Sequence, residues 1–254
     1  MKLDWRESFI NYEKSQCFYI YTDINASYCS IHQYLENGWG KPCVVANGNA
    51  SGLGNSGACL AISYEARAKG IKRGCSLRRA KNMVKDLTVY ESCLPLYEVY
   101  ADLFDTILEC IIPESMFYRG SCDEVVIKFD TRKIYLRKFS VMIRATSDFL
   151  KGEFGLKLKL KIKPEHIDMI EKAPILNQSI YAVCYLVRDC MEQFLGIPLS
   201  VGVAPSISLA KSLIDFSKPT LAGGTRIYRT FHDAICFPAT AKDANLLFRE
   251  MLLV

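Results

Sequence analysis

The chain has 254 residues, half of them hydrophobic and 23% charged, the balance of a globular protein with length enough for one large domain or two modest ones. No apolar run reaches the ~18 residues of a membrane span, and the N-terminal MKLDWRESFINYEK lacks the apolar stretch of a secretory signal, so no membrane partner is expected. A formal net charge of +5 points mildly to an anionic partner.

CFYIYTDI (17–24) is rich in aromatic and β-forming residues and reads as a strand; a short helix follows to about Glu36. PCVVAN and ACLAIS are two more strands, separated by the flexible Gly/Ser/Asn loop NGNASGLGNSG. Tyr64 to about Val84 reads as short helices broken at Gly70 and Gly74, and LTVYE as a strand. In LPLYEVYADLFDTILECII (94–112), Leu96, Val99, Leu103, Ile107 and Cys110 recur at helical spacing and predict an amphipathic helix with those residues on its apolar face.

MFYRGSC (116–122) and VVIKFD (125–130) make a hairpin-like pair, and residues 131–180 are less readable. IYAVCYLVRDCMEQFLG is a helix that ends on Gly196. LSVGVA (199–204) is a strand, SISLAKSLIDFS a helix stopped by Pro219, AGGTRIY a turn with a short strand, and DANLLFREMLL a last helix. Strands and helices mix without strict alternation. The expected fold is therefore α+β, with a mainly antiparallel sheet and helices on one face.

The eleven cysteines are odd in number and include no C-x-x-C pair, and Cys43, Cys59 and Cys184 sit in apolar settings. Buried free thiols in a reducing, intracellular compartment fit this better than disulfides or zinc. In LKLKLKIK (156–163), Lys157, Lys159, Lys161 and Lys163 alternate with apolar residues. As a strand this is either a phosphate-contacting face or an edge protected by lysines; the second needs no ligand and is preferred. His32, His166 and His232 are scattered and suggest no site.

Asp23 ends the first strand, and Asp123 and Glu124 lie between the two halves of the hairpin. Acidic residues at strand ends are commonly just solvated. If the two elements are neighbours in one sheet, however, the three carboxylates converge, and converging acids repel unless cations lie between them. Oxygen ligands of this kind suit Mg²⁺, and two such ions can clamp an in-line phosphoryl displacement.

Taken in order, YTDINASY, SGACLAISYEARAKGIKRG, SCDE and LSVGVAPSISLAKSLIDFSKP resemble the Y-family translesion DNA polymerases. The resemblance covers about residues 17–228 and is weakest over 131–180. It implies a polymerase-type palm from 1–26 and 95–230, with a small fingers subdomain at 27–94. It implies that Asp23, Asp123 and Glu124 are the catalytic, metal-binding carboxylates of the palm, joined by the backbone carbonyl of Ile24, with two Mg²⁺ ions as cofactor. It implies that Tyr28 is the ring beneath the sugar that excludes a 2′-hydroxyl, and that Tyr64, Arg67 and Lys218 hold the incoming triphosphate.

Each of these residues also has a plainer reading by itself. Tyr28 reads as a packed helix aromatic, Arg67 as a surface charge, and Lys218 as a cation at a helix C-terminus. Lys211, in LAKS, reads equally as a DNA contact and as a solvated charge. Ser27 and Ala61 depart from the family pattern, which usually has an aromatic residue and a hydroxyl residue there. After TRIY the family continues into a thumb and a further DNA-binding domain; residues 231–254 amount to at most the start of a thumb. The implied partners are primer–template DNA, a dNTP, and a protein or domain that supplies the remaining grip on duplex.

The implied function is templated transfer of a nucleotide from dNTP to a primer 3′-hydroxyl, by an intracellular enzyme of cytoplasm, nucleoid or nucleus. The alternatives are a weakly active or inactive polymerase-like accessory protein that binds nucleotide, DNA or a partner, and another palm enzyme such as a nucleotidyl cyclase.

Overall fold

The computed structural model describes residues 17–47, 57–112, 117–130, 163–172, 175–222 and 225–227. Along the chain, β1 (Cys17–Ile24) leads into α1 (Ser27–Leu35), then β2 (Cys43–Ala46) and β3 (Cys59–Ile62). Two short helices, α2 (Tyr64–Ala68) and α3 (Leu77–Met83), precede β4 (Thr88–Glu91) and the long α4 (Leu94–Ile111). The hairpin β5 (Phe117–Arg119) and β6 (Glu124–Asp130) is followed by α5 (Pro164–Lys172) and α6 (Ile175–Cys190), which runs into a π-helical turn over Met191–Leu195. The described chain closes with β7 (Leu199–Ala204), α7 (Ile207–Ser217) and the small hairpin β8 (Thr220–Ala222) and β9 (Thr225–Ile227).

The main sheet has the order β5-β6-β1-β7, and every pairing in it is antiparallel. Alternation along β1 divides the molecule. Ile20 and Ile24, with Ile127 and Phe129 of β6 and Val201 of β7, point into the large core against Tyr97, Phe104 and Leu108 of α4 and Tyr185 of α6. Tyr21 and Val126 point the other way and meet Ala210, Leu213 and Ile214 of α7. The fold is α+β as expected, but its helices are not confined to one face. The apolar stripe of α7 needed cover of its own, and it found it on the far side of the sheet.

Gly202 makes that packing close. It stands opposite Tyr21 in the β1–β7 ladder, and a Cβ there would lie 2.1 Å from the carbonyl oxygen of Ala210. Gly196, which ends the π turn, has φ +66°, the left-handed conformation that glycine tolerates best.

The buried face of α4 is rotated from the one expected. Tyr97, Tyr100, Ala101, Phe104, Ile107 and Leu108 are buried, whereas Val99 is 54% exposed. Aromatic rings bury more area than the aliphatic residues that defined the expected face, and they set the orientation; Leu96, Leu103 and Cys110 sit on its partly buried margin.

A second sheet has the order β3-β2-β4, with β2–β3 antiparallel and β2–β4 parallel. Val44 and Ala46 of β2 face a small core with Ile62, Ala66 and Leu77, while Cys43 and Val45 face the large one. The Ser63 hydroxyl accepts from Ala66 N at 3.2 Å and caps α2.

The nine cysteines whose side chains are described are free thiols. The Gly/Ser/Asn loop, most of LKLKLKIK and the expected last helix lie outside the described residues; Lys163, at the end of that lysine tract, pairs with Glu192 at 3.0 Å. No helix among the described residues is long and apolar enough to cross a membrane.

Candidate active site

Strand pairing brings the acids together. Asp23 stands directly opposite Glu124 in the β1–β6 ladder, and Ile24 N donates to the Asp123 carbonyl at 3.0 Å. The turn that carries Asp123 is anchored from behind. Arg119 donates to the carbonyls of Ser121 (3.1 Å) and Cys122 (3.2 Å) and pairs with Asp105 of α4.

Each carboxylate has its own partners. Asp123 accepts from the Ser121 hydroxyl at 2.6 Å. Glu124 accepts from the Tyr21 hydroxyl at 2.7 Å and pairs with Lys211 at 3.0 Å. Asp23 faces Lys218 at 3.6 Å, and Lys218 also holds Asp215 at 2.9 Å. Lys211 is therefore neither plainly solvated nor free, and Lys218 sits at the C-cap of α7 with its charge turned towards the acids.

These surroundings separate the acids electrostatically. Burial, helped by repulsion from Asp123 and Glu124, raises Asp23 to about 6 against the opposing pull of Lys218. Burial also acts to raise Glu124, but the Tyr21 hydroxyl and the Lys211 ammonium outweigh it and hold this carboxyl below its ordinary value. The same contacts raise Lys211.

Among the described residues, no three Asp, Glu, His or Cys side chains stand close enough together to hold a metal ion. The donor set nevertheless fits a hard divalent cation. It consists of carboxylate oxygens at one end of a sheet, and burial, with a smaller contribution from Asp123 and Glu124, disfavours the charged form of Asp23.

Basic residues make up another part of the cleft lining, a basic wall. Arg67 of α2 donates from Nε to the Ile62 carbonyl at 3.0 Å, and its guanidinium lies 4.9 Å from the centre of the Tyr64 ring. The Tyr64 hydroxyl reaches Asn25 Oδ1 at 3.5 Å, which ties this wall to the end of β1. Tyr28, in the first turn of α1, stacks on Tyr97 with ring centres 3.8 Å apart and planes 6° from parallel. The Tyr97 hydroxyl in turn meets His32 Nε2 at 3.1 Å.

One cleft of about 1140 Å³ is lined by all eight residues singled out from the sequence, from Asp23 to Lys218. Ser27 and Ala61, the two departures from the expected pattern, line it as well. So do Lys72 and Arg73, both exposed, which lie within YEARAKGIKRG and to which the resemblance assigns no role. Tyr21, which donates to Glu124, is not marked by the motifs either. The available signal was its position two residues before Asp23, which puts both on the same face of a strand. Asn25 is 1% exposed, and among the described residues its Nδ2 has no hydrogen-bond partner.

The model of the impB/mucB/samB family matches residues 22–215. The chain is 26% identical over 208 residues to a DNA polymerase IV of Moorella thermoacetica (strain ATCC 39073 / JCM 9320), a match that covers 81% of this chain and 40% of that protein. Its fold is similar to the crystal structure of DinB from Sulfolobus solfataricus, with 21% identity and a TM-score of 0.53 over 80% of this chain and 46% of that one. It is similar also to Dbh DNA polymerase in an insertion ternary complex, with 21% identity and a TM-score of 0.56 over 89% of this chain and 51% of that one. The chain thus spans about half the length, or less, of the relatives it matches.

Proposed function

The chain belongs to the impB/mucB/samB family of Y-family polymerases, and from that membership and the geometry of the cleft we propose that it carries the active site of a template-directed DNA polymerase of the translesion type. In this reading 1–26 and 95–230 form the palm and 27–94 the fingers. The reaction is attack of a primer 3′-hydroxyl on the α-phosphate of a dNTP, with pyrophosphate leaving. The observation that carries the reading is the meeting of an acidic floor and a basic wall in one cleft, with every sequence-selected residue on its lining.

Asp23, Asp123, Glu124 and the Ile24 carbonyl would hold two Mg²⁺ ions. When bound, these cations supply positive charge to the attacking and leaving oxygens. The chain's own groups orient and neutralise. Arg67 and Lys218 bring charge to the triphosphate from opposite sides, and Tyr64 packs beneath the Arg67 guanidinium. Tyr28, held flat against Tyr97, is the ring under the sugar that leaves no space for a 2′-hydroxyl. The partners are primer–template DNA, a dNTP, and a protein or domain that supplies further phosphate contacts to duplex. The free thiols support an intracellular, reducing setting.

A second reading is a polymerase-like accessory protein that binds nucleotide, DNA or a partner without catalysis. It is favoured by one observation: Lys211 and Lys218 already partner Glu124 and Asp23. Primer extension with Mg²⁺ and all four dNTPs, run beside Asp123→Ala, separates the two. Extension that is lost in the variant supports the polymerase. Extension that persists in it removes the role of the acids. No extension by the wild type, with Mg²⁺-dependent dNTP binding intact, points to an assembled nucleotide site that lacks its grip on duplex, whereas neither extension nor binding favours the accessory protein.

A further inference from the structure

Both carboxylate oxygens of Glu124 are engaged by the chain itself. The Tyr21 hydroxyl donates to Oε2 at 2.7 Å. The Lys211 ammonium lies 3.0 Å from Oε1 and 3.1 Å from Oε2. The two donors also touch each other, with Lys211 Nζ 5.2 Å from the centre of the Tyr21 ring.

They differ in mobility. Tyr21 is 5% exposed and packed among Val126, Leu213 and Ile214, so its hydroxyl is a fixed neutral donor. The Lys211 side chain is 56% exposed and brings a charge on a flexible stem. An exposed Lys–Glu pair by itself is weak and easily broken. The fixed hydroxyl, donating to a charged acceptor, gives the arrangement its hold.

Together they draw Glu124 to the α7 flank. There it borders a second hollow of about 480 Å³ that Asp23, Lys211 and Lys218 line as well. Asp23 and Glu124 are direct cross-strand neighbours, yet among the described residues no group of three acids is close enough to hold a cation.

We infer that Tyr21 and Lys211 are positioning residues that latch Glu124 towards α7, so that this carboxylate must leave them before it joins Asp23 and Asp123 around a divalent cation. The inference rests on the reading of the cleft as a cation-dependent site. It makes the latch a competitor of the cation: weakening the latch strengthens capture.

The test uses Mn²⁺ as probe, with free Mn²⁺ followed by electron paramagnetic resonance as it is titrated into the full chain without nucleotide or DNA. Tyr21→Phe is electroneutral and removes only the hydroxyl; it is expected to bind Mn²⁺ roughly three- to tenfold tighter. Lys211→Met is expected to tighten binding at least as much, and Lys211→Arg to stay near the wild-type affinity. In a Glu124→Gln background, Tyr21→Phe should change nothing, because the hydroxyl acts only through that carboxylate.

Unchanged or weaker Mn²⁺ binding in Tyr21→Phe overturns the latch, as does an effect that persists in the Glu124→Gln background. The underlying reading fails separately, if wild-type Mn²⁺ binding survives Asp123→Asn. Absence of binding in both the wild type and Tyr21→Phe overturns both.

Discussion

Asp23 and Glu124 face each other across the β1–β6 ladder in direct register, and the register is fixed by residues far from them. Ile20 pairs with Ile127 on the core side of the same two strands. A one-residue slip would turn that core face to the outside. Two acids are thus held side by side at the expense of the fold.

Asp23→Asn is expected to stabilise the protein at neutral pH. The Asp23 carboxyl is raised from 3.8 to about 6, so the folded chain binds this proton more tightly than the unfolded chain. The associated stability is complete below about pH 4 and is lost as pH rises through about 6. At pH 7.5 the loss is on the order of 2–3 kcal/mol, and the asparagine variant should recover most of it. Urea unfolding at pH 7.5 and at pH 4 checks this: the gain should be large in the first and small in the second. An asparagine variant less stable than wild type at pH 7.5 contradicts it.

Lys218→Ala should move the protonation of Asp23 and weaken triphosphate binding together. Lys218 is the opposing charge that holds Asp23 down. Without it, the pH midpoint for cation-dependent dNTP binding should rise, and affinity should fall about tenfold or more, the effect of losing one hydrogen bond to a charged group. Fluorescence titration of dNTP across pH 5–8 measures both. Lys218→Arg should keep the midpoint close to that of wild type.

Tyr28→Ala should admit ribonucleotides. The ring is clamped against Tyr97, so it has little freedom to swing away from a 2′-hydroxyl. The ratio of rNTP to dNTP incorporation should rise by orders of magnitude, while loss of the stack costs about 0.5–1.5 kcal/mol of stability. A variant destabilised by that amount, with unchanged sugar discrimination, would leave Tyr28 a packing residue only.

Gly202→Ala should damage the site from beneath. Its Cβ would lie 2.1 Å from Ala210 O and 3.0 Å from Ile214 N, both backbone atoms of α7, so the helix must move. Overpacking of this kind costs about 1–3 kcal/mol. Because α7 carries Lys211 and leads directly into Lys218, dNTP affinity should fall along with the melting temperature. A normal melting temperature would show that the helix yields more easily than its packing implies.

The strands and most helix boundaries were legible because each is a local pattern. Examples are the aromatic run before Asp23, the glycine after Leu195, and the proline after Lys218. The eight cleft residues were reachable only through the order of four motifs, since each has a plainer reading alone. What escaped depends on contacts between elements. The face of α4 was decided by rings that pack across the molecule. The cover on the second face of the sheet depends on where α7 lands. Tyr21 reads as one more β-forming aromatic until Glu124 and Lys211, each about a hundred residues or more away in the chain, arrive beside it.

The acidic floor and the basic wall have one further consequence. Arg67, Lys72 and Arg73 come from α2 and the segment after it, Asp23, Asp123 and Glu124 from β1 and the turn into β6, and all of them line one cleft. Such a cleft is polar in the electrical sense. Within a screening length of roughly 8–10 Å, charges of both signs in one cleft would be expected to orient an approaching ligand before contact, its most anionic end towards α2 and its cation-bearing part towards β1 and β6. Rising ionic strength would erode that sorting of approach sooner than it erodes the contacts made at the end of it.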